Sequence, residues 1–259
     1  MDEIMSSEEN GFPPFPAKET KVRLVEWLRE KAKDAGAQGF VLGLSGGVDS
    51  SVVAALARLA AGDSVLGVIM PCNSSESDEE HARLISKRFG IVTEYVDLSR
   101  AYGVLKQSLP PGSRLAEANL KPRLRMLTLY YFANLNNYLV LGTGNKTELM
   151  LGYFTKYGDG GVDLLPIAGL YKHQVRELAR DLLVPEPIIS KPPSAGLWEG
   201  QTDEGEIGLS YDDMDRILMA LEKGGTKDVD GSKLARVKAM MERSRHKKRM
   251  PEIFEPRFL

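Results

Sequence analysis

Apolar positions change their period several times along the chain, and those changes divide it into elements. Val22, Val25, Leu28 and Ala32 recur at helical spacing with Trp27 beside them, and Gly36 suits the end of that first helix. Gly39, Phe40, Val41, Leu42, Gly43 and Leu44 then form a short run bounded by glycine, followed by a Ser-Gly-Gly turn and a helical stretch over 51–61. The same alternation predicts a strand over 65–70, a helix over 77–89 opened by Ser77, Asp78, Glu79 and Glu80, and a strand over 91–96. Two helices are expected over 99–109 and 115–136, separated by Pro110, Pro111 and Gly112, with Pro122 kinking the second or starting a new one. Residues 138–142 are a further buried strand. Strands alternating with helices predict a three-layer α/β/α fold with a mainly parallel, Rossmann-like sheet.

Beyond residue 142 the chain turns loop-rich, with glycines at 152, 158, 160, 161 and 169. A helix is expected over 170–183, a Pro-rich connector over 185–200 and, from acidic and polar composition, a flexible loop over 201–208. Helices over 211–223 and 232–244 lead to a basic run from Arg243 to Arg249. No repeat of fixed period is present. Residues 1–16, acidic and then Pro-rich, read as a flexible lead-in, and 17–259 as a single domain.

Composition narrows the function classes. A net charge of −2 gives no global attraction to nucleic acid or anionic membrane, so an anionic substrate must be held by local donors. The single cysteine, Cys72, permits no intramolecular disulfide and suits a reducing compartment; it reads as a buried or strand-end thiol. The start has no secretory pattern, and no apolar run approaches the about 18 to 20 residues needed to span a bilayer. The expectation is a cytoplasmic protein. His81 and His173 have no His/Cys cluster around them with transition-metal spacing, and read as surface residues or supports behind ligands.

The densest chemical signal is Ser45-Gly46-Gly47-Val48-Asp49-Ser50, at the point where a strand hands over to a helix. In an open parallel sheet, ligands bind beyond the carboxyl ends of the strands, and a Gly-rich loop entering a helix offers unpaired N–H groups to phosphate. The hydroxyls of Ser45, Ser50 and Ser51 add donors. Asp49 would repel phosphate unless a cation lay between, which implies Mg²⁺. Two glycines alone also suit a tight turn with no ligand, and the common Gly-x-x-x-x-Gly-Lys loop is absent.

The full string Ser-Gly-Gly-Val-Asp-Ser-Ser resembles the pyrophosphate-binding loop of the N-type ATP pyrophosphatases, whose fold is adenine nucleotide alpha hydrolase-like. Phe154-Thr155-Lys156-Tyr157-Gly158-Asp159-Gly160-Gly161, followed by Val162-Asp163 and Leu165-Pro166, resembles the signature of the NAD synthetases within that superfamily. Gly142, Thr143 and Glu148 also fit, and the resemblance runs from about Lys18 to the C-terminal basic run.

The resemblance implies an ammonia-dependent ligase that amidates deamido-NAD through an acyl adenylate, releasing AMP and pyrophosphate. It implies ATP contacts at Gly43, Leu44, Ser45, Gly46, Gly47, Val48, Asp49, Ser50, Thr143, Lys172 and Ser194. It places deamido-NAD contacts at Arg123, Lys156, Asp163, His246 and Lys247, and carboxylates for Mg²⁺ at Asp49 and Glu148. Asp49, Lys172 and Asp163 are the expected catalytic residues, Asp163 as a candidate base for ammonium. Where the family often reads Lys-x-Pro-Thr-Ala-Asp-Leu, this chain has Lys191-Pro192-Pro193-Ser194-Ala195-Gly196-Leu197, keeping a hydroxyl at Ser194 and losing a carboxylate at Gly196.

Glutamine-using relatives carry a separate amidohydrolase domain for which this chain has no room, so ammonia is the expected donor, free or from a separate glutaminase subunit. A homodimer is implied by the same resemblance. The rival readings are a tRNA-modifying pyrophosphatase-type enzyme, which would need an RNA-binding extension or a zinc site, and a non-catalytic nucleotide-binding module, which need not retain both Asp49 and Glu148.

Overall fold

The computed structural model describes residues 11–198, 200–227 and 229–254. Four parallel strands, β1 (Gly39–Gly43), β2 (Val65–Ile69), β3 (Val92–Tyr95) and β4 (Tyr138–Leu141), lie in the order β3-β2-β1-β4. Phe40 is opposite Val65 on one side of β1 and opposite Leu139 on the other. Alternation along β1 fixes the layers. Phe40 and Leu42 point into one apolar cluster and Val41 into another, and all three are fully buried, which accounts for an uninterrupted apolar run in a strand covered on both faces.

The first cluster is covered by α1 (Ala17–Asp34), α2 (Val48–Ala61) and the later α8 (Lys172–Asp181), with Leu28, Val52, Leu56, Val175 and Leu178 packed on the sheet. Val52 to Ala57 are all buried, so α2 is apolar around most of its circumference. Connecting β2 to β3 is α3 (Glu76–Phe89). The opposite face carries α4 (Ser99–Ser108), the short α5 (Arg114–Ala118) and α6 (Leu120–Asn136), from which Leu129 and Ala133 meet Val41, Val68 and Val140. Pro122 sits in the first turn of α6, where its missing N–H is harmless, so it starts a helix rather than kinking one. Cys72 is buried in this layer, as expected, and burial pushes its thiol pKa up.

The short α9 (Glu186–Ile189) adds Ile188 and Ile189 to the first cluster, and a third cluster is built by α7 (Lys146–Leu151), α10 (Asp203–Ile207), α11 (Tyr211–Glu222) and α12 (Gly231–Arg243), which is followed by a 3₁₀ turn over Arg245–Lys248. Its apolar centre joins Leu151 and Tyr171 to Ile207, Met214, Leu218 and Val237. The flexible loop expected over 201–208 is corrected here. Gln201 and Asp203 are buried, and α10 is held by bonds from Tyr153 and Tyr211 to Asp203 and by Gln201 to Glu206. Composition misled because these acids are satisfied by Tyr153, about fifty residues away, and by Tyr211 of the next helix. Of the lead-in expected over 1–16, residues 1–10 lie outside the described residues. Phe12 is docked rather than flexible, since its buried ring stacks on His173 at 3.9 Å.

Candidate active site

The strand order decides where a ligand can enter. From β1 the chain moves outward to β2 and β3, then returns to place β4 on the other side of β1, so β1 and β4 flank the topological switch point. The segments leaving their carboxyl ends, 44–49 and 142–145, open into one crevice, and the side-chain amide of Asn145 donates to Asp49 Oδ1 across it at 3.0 Å.

On the β1 side, Gly46 has a φ of +74°, and a Cβ there would run into the Asp78 carbonyl of α3. This is the position where only glycine fits. Gly47 caps α2 with no side-chain bond to the first turn, and the hydroxyls of Ser50 and Ser51 instead donate back to the Gly47 carbonyl at 3.0 and 2.8 Å. The first-turn N–H groups of α2 therefore face the crevice without a side-chain cap, as an anion site requires. Ser45 donates to Ser50 at 3.0 Å, tightening the loop.

On the β4 side, Asn145 and Glu148 form a reciprocal capping box, Glu148 N–H donating to Asn145 Oδ1 at 3.0 Å and Asn145 N–H to Glu148 Oε2 at 3.1 Å. That fixes Glu148 at the start of a helix of 6 residues, with its other oxygen toward Asp49 and Lys172. Lys172 opens α8, where a helix N-terminus disfavours a cation. Its ammonium is compensated by Asp49 at 2.5 Å and Glu148 at 3.5 Å, and lies 4.7 Å from the centre of the Tyr211 ring. Burial alone would lower the Lys172 pKa, but Asp49 and Glu148 together hold it above the ordinary lysine value. The Tyr211 hydroxyl lies 2.9 Å from Asp203 and 3.2 Å from Glu148.

Asp49 and Glu148 thus lie against one ammonium, with Asp203 acting on it from farther off, a set of carboxyls that once ionised suits a hard divalent cation. Among the described residues no group of three His, Cys, Asp or Glu is arranged to hold a metal, so Asp49 and Glu148 would supply only part of the coordination of Mg²⁺. Phosphate and water commonly complete such a site. Burial, and then Asp49, push the Glu148 carboxyl up to about 8. A folded-state value above the ordinary 4.5 means that the metal-free protein loses stability as pH rises from 4.5 through about 8. Binding of Mg²⁺ with a non-hydrolysable ATP analogue should release a proton, approaching about one at pH ~6.5 and vanishing near pH ~9. Titration calorimetry in buffers of different ionisation enthalpy measures that release directly, and no difference between buffers at the lower pH would remove Glu148 from the metal.

The remaining expected residues divide between places. Lys156 donates to the His246 carbonyl at 3.0 Å, Lys247 donates to the carbonyls of Gly152 and Phe154 at 2.8 and 2.7 Å, and Arg123 reaches the Lys156 carbonyl at 3.4 Å. These four gather around the Phe154–Gly161 signature. That loop runs along α6 at intervals of one helical turn: Cβ atoms on Gly158 and Gly161 would press on Pro122 and Met126, and the Tyr130 hydroxyl donates to Asp163 at 2.9 Å. Asp163 also accepts the Val140 N–H at 2.8 Å, which places it in the short segment that covers the outer edge of β4, bonded to none of Asp49, Glu148 or Lys172. Thr143 lies half-buried in the crevice. Ser194 Oγ accepts the Gly196 N–H, and Gly196 has a φ of +59°, a conformation that an aspartate would adopt only at a cost.

Four residues escaped the sequence reading. Asn145 was visible as the start of an Asn-x-x-Glu capping pattern. Arg125 was visible as the partner of Arg123, two positions on and so on another face of α6; it is half-buried at the carboxyl end of β2, donating to the Met70 carbonyl at 3.2 Å and lying 3.4 Å from Ser74 Oγ. Tyr211 and Asp203 gave no local signal.

Fold and site together define the class: an adenine nucleotide alpha hydrolase-like α/β domain with an anion site and paired carboxylates at the switch point. The sequence model of the NAD synthase family matches residues 20–251. The NH(3)-dependent NAD(+) synthetase of Carboxydothermus hydrogenoformans is 54% identical over 236 residues, 89% of this chain and 95% of that protein. That of Archaeoglobus fulgidus is 50% identical over 240 residues, 92% of this chain and 96% of its own. Among solved structures, an NMN synthetase from Francisella tularensis superposes with a TM-score of 0.85 at 37% identity, covering 95% of this chain and 100% of that one. An NH3-dependent NAD synthetase from Campylobacter jejuni has a TM-score of 0.83 at 31% identity, with 93% and 100% covered. The chain belongs to the NAD synthase family.

Proposed function

We propose that this chain is an ammonia-dependent NAD synthetase of the cytoplasm, amidating the nicotinate carboxylate of deamido-NAD at the expense of ATP. The observation that carries the reading is the pairing of Asp49 and Glu148 about Lys172 at the switch point, in a chain 54% identical over 236 residues to a protein of that name. A nicotinate oxygen attacks the α phosphorus and pyrophosphate leaves; ammonia then attacks the acyl carbon, AMP leaves, and the nitrogen gives up a proton. Bound Mg²⁺ supplies charge neutralisation for the phosphates. The chain's own contribution is positioning and fixed charge: the backbone N–H groups where the Ser45–Gly47 loop enters α2, with Lys172, face the departing pyrophosphate, while the Ser45, Ser50 and Ser51 hydroxyls hold the loop in shape. Thr143 and Ser194 hold the nucleotide.

Arg123, Lys156, His246 and Lys247 bind the dinucleotide, and Arg125 joins them as a fixed cation at the carboxyl end of the sheet. Lys247 acts mainly by bracing the loop, since two of its N–H groups are already engaged. Asp163 serves the dinucleotide from the edge of β4 rather than acting as the base for ammonium.

Purified protein with ATP, Mg²⁺, ammonium and deamido-NAD should yield NAD, AMP and pyrophosphate. Nicotinate mononucleotide in place of deamido-NAD tests the second reading, that of an NMN synthetase, favoured by the Francisella structure. A higher kcat/KM for the mononucleotide would adopt it. No amide with either, together with ATP-to-pyrophosphate exchange on another carboxylate, would sink both.

The homodimer is part of the same proposal. Leu127, Tyr131 and Leu135, spaced by one helical turn, form a stripe on α6 that is about two-thirds exposed (64%, 64% and 66%). It flanks a cleft lined by Val96, Tyr130 and Phe132, beside Asp163. Leu127→Glu combined with Leu135→Glu should shift the mass measured by light scattering from that of two chains to one. A wild-type monomer, or an unaltered dimer in the variant, would place the interface elsewhere.

A further inference from the structure

Two members of the charged cluster have their chain neighbours tied to a single carboxylate outside it. Thr147 precedes Glu148, His173 follows Lys172, and both bond Asp215 of α11. The Thr147 hydroxyl donates to Asp215 Oδ1 at 2.5 Å, while the His173 backbone N–H and ring Nδ1 reach Oδ2 at 2.9 and 2.8 Å. Thr147 Oγ1 also accepts the Lys172 N–H at 3.2 Å, joining the two elements directly. Asp215 and Thr147 are fully buried and His173 nearly so. A carboxylate oxygen only accepts, so Nδ1 carries the hydrogen of that bond, and Nε2 is buried without a hydrogen-bond partner. Stacking holds the ring in that pose, with Phe12 at 3.9 Å and Tyr171 at 6.0 Å.

Neither element could set the Glu148–Lys172 separation alone. The helix bearing Glu148 has 6 residues, too few to be rigid by itself, and Lys172 begins α8 after a long loop. We propose that Asp215 is a positioning residue for the reaction, fixing Glu148 against Lys172 through the Thr147 hydroxyl and His173 while touching neither reactive group. The proposal rests on the amide-forming reading above.

The test compares wild type with Thr147→Val, which keeps the shape and removes the hydroxyl, Thr147→Ser, which restores it, and Asp215→Asn. Thr147→Val should lower kcat by about 10-fold or more, the scale of a sub-ångström misplacement, with the KM for ATP within about 3-fold. Thr147→Ser should return kcat to within about 2-fold of wild type, and Asp215→Asn should behave as Thr147→Val. A merely structural tie would lower the melting temperature and leave kcat per folded molecule unchanged, and that result overturns the proposal. If Asp215→Asn does not fold, the Val and Ser pair decides. A second measurement separates this proposal from the functional reading: the Mg²⁺ dependence of binding a non-hydrolysable ATP analogue. It should weaken in Thr147→Val and recover in Thr147→Ser even if the wild type makes no NAD. An identical dependence in all three would overturn the positioning role.

Discussion

Replacing Lys172 by methionine is expected to lower the rate of NAD formation by about 10²- to 10³-fold, the usual cost of removing one preorganised group aimed at developing negative charge. The same change should destabilise the protein by roughly 3–5 kcal/mol, because it removes one partner from a buried ion pair and leaves the other uncompensated. The Lys172 side chain is 2% exposed and that of Asp49 17%, so water cannot take over the lost role. Two signatures follow from the charges. The loss of melting temperature should be smallest at low pH, where carboxyls take up protons, and grow as pH rises. Mg²⁺ with an ATP analogue should recover part of it, since the carboxylates then face a cation again. Thermal melts across pH, with and without Mg²⁺, check both, and an unchanged kcat would take Lys172 out of the chemistry.

Asp49→Ala should reduce product formation further, by at least about 10³-fold, because on the proposed reading it removes a carboxylate for Mg²⁺ as well as the group paired with Lys172. Its effect on the fold should be smaller. Lys172 retains Glu148 at 3.5 Å, and the loss of a first-turn acid costs on the order of 1 kcal/mol. The contrast is the informative part: Lys172→Met should lose both stability and rate, whereas Asp49→Ala should lose mainly rate. Mg²⁺ should also cease to tighten binding of an ATP analogue to Asp49→Ala, which calorimetry reads directly. A variant that keeps its Mg²⁺ dependence would shift the metal to other residues.

Much of this architecture was legible because the signals were local. β1, β2 and β4 are apolar runs bounded by glycine or polar residues, and the helices 17–34, 76–89 and 120–136 end within a few residues of where spacing and punctuation place them. The loop from Ser45 to Asp49 was readable for the same reason, since its two glycines and its hydroxyls act within six residues. Glu148 was placed in the crevice by its position just after a strand, and the capping box with Asn145 explains why that worked.

Residues 201–208 show where local reading stops. An acidic, polar stretch has no way to announce that Asp203 will be buried against Tyr211, Tyr153 and the Ala195 N–H. Asp163 shows the same limit from the other side. It stood in the motif beside ligand-binding candidates, yet both of its carboxylate oxygens are taken up by Tyr130 and by the backbone of β4.

By itself, then, the sequence determined the reaction class, through the family resemblance carried by two short continuous segments, 45–51 and 154–166, and it determined the alternation that builds a parallel sheet. Only the tertiary structure decided which charges meet. Asp49, Glu148, Lys172 and Asp203 come from four separated segments, and whether each carboxylate faces a metal site, an ammonium or a tyrosine depends on crossovers between them. Burial and low dielectric magnify such encounters, and neither is visible in any window of consecutive residues.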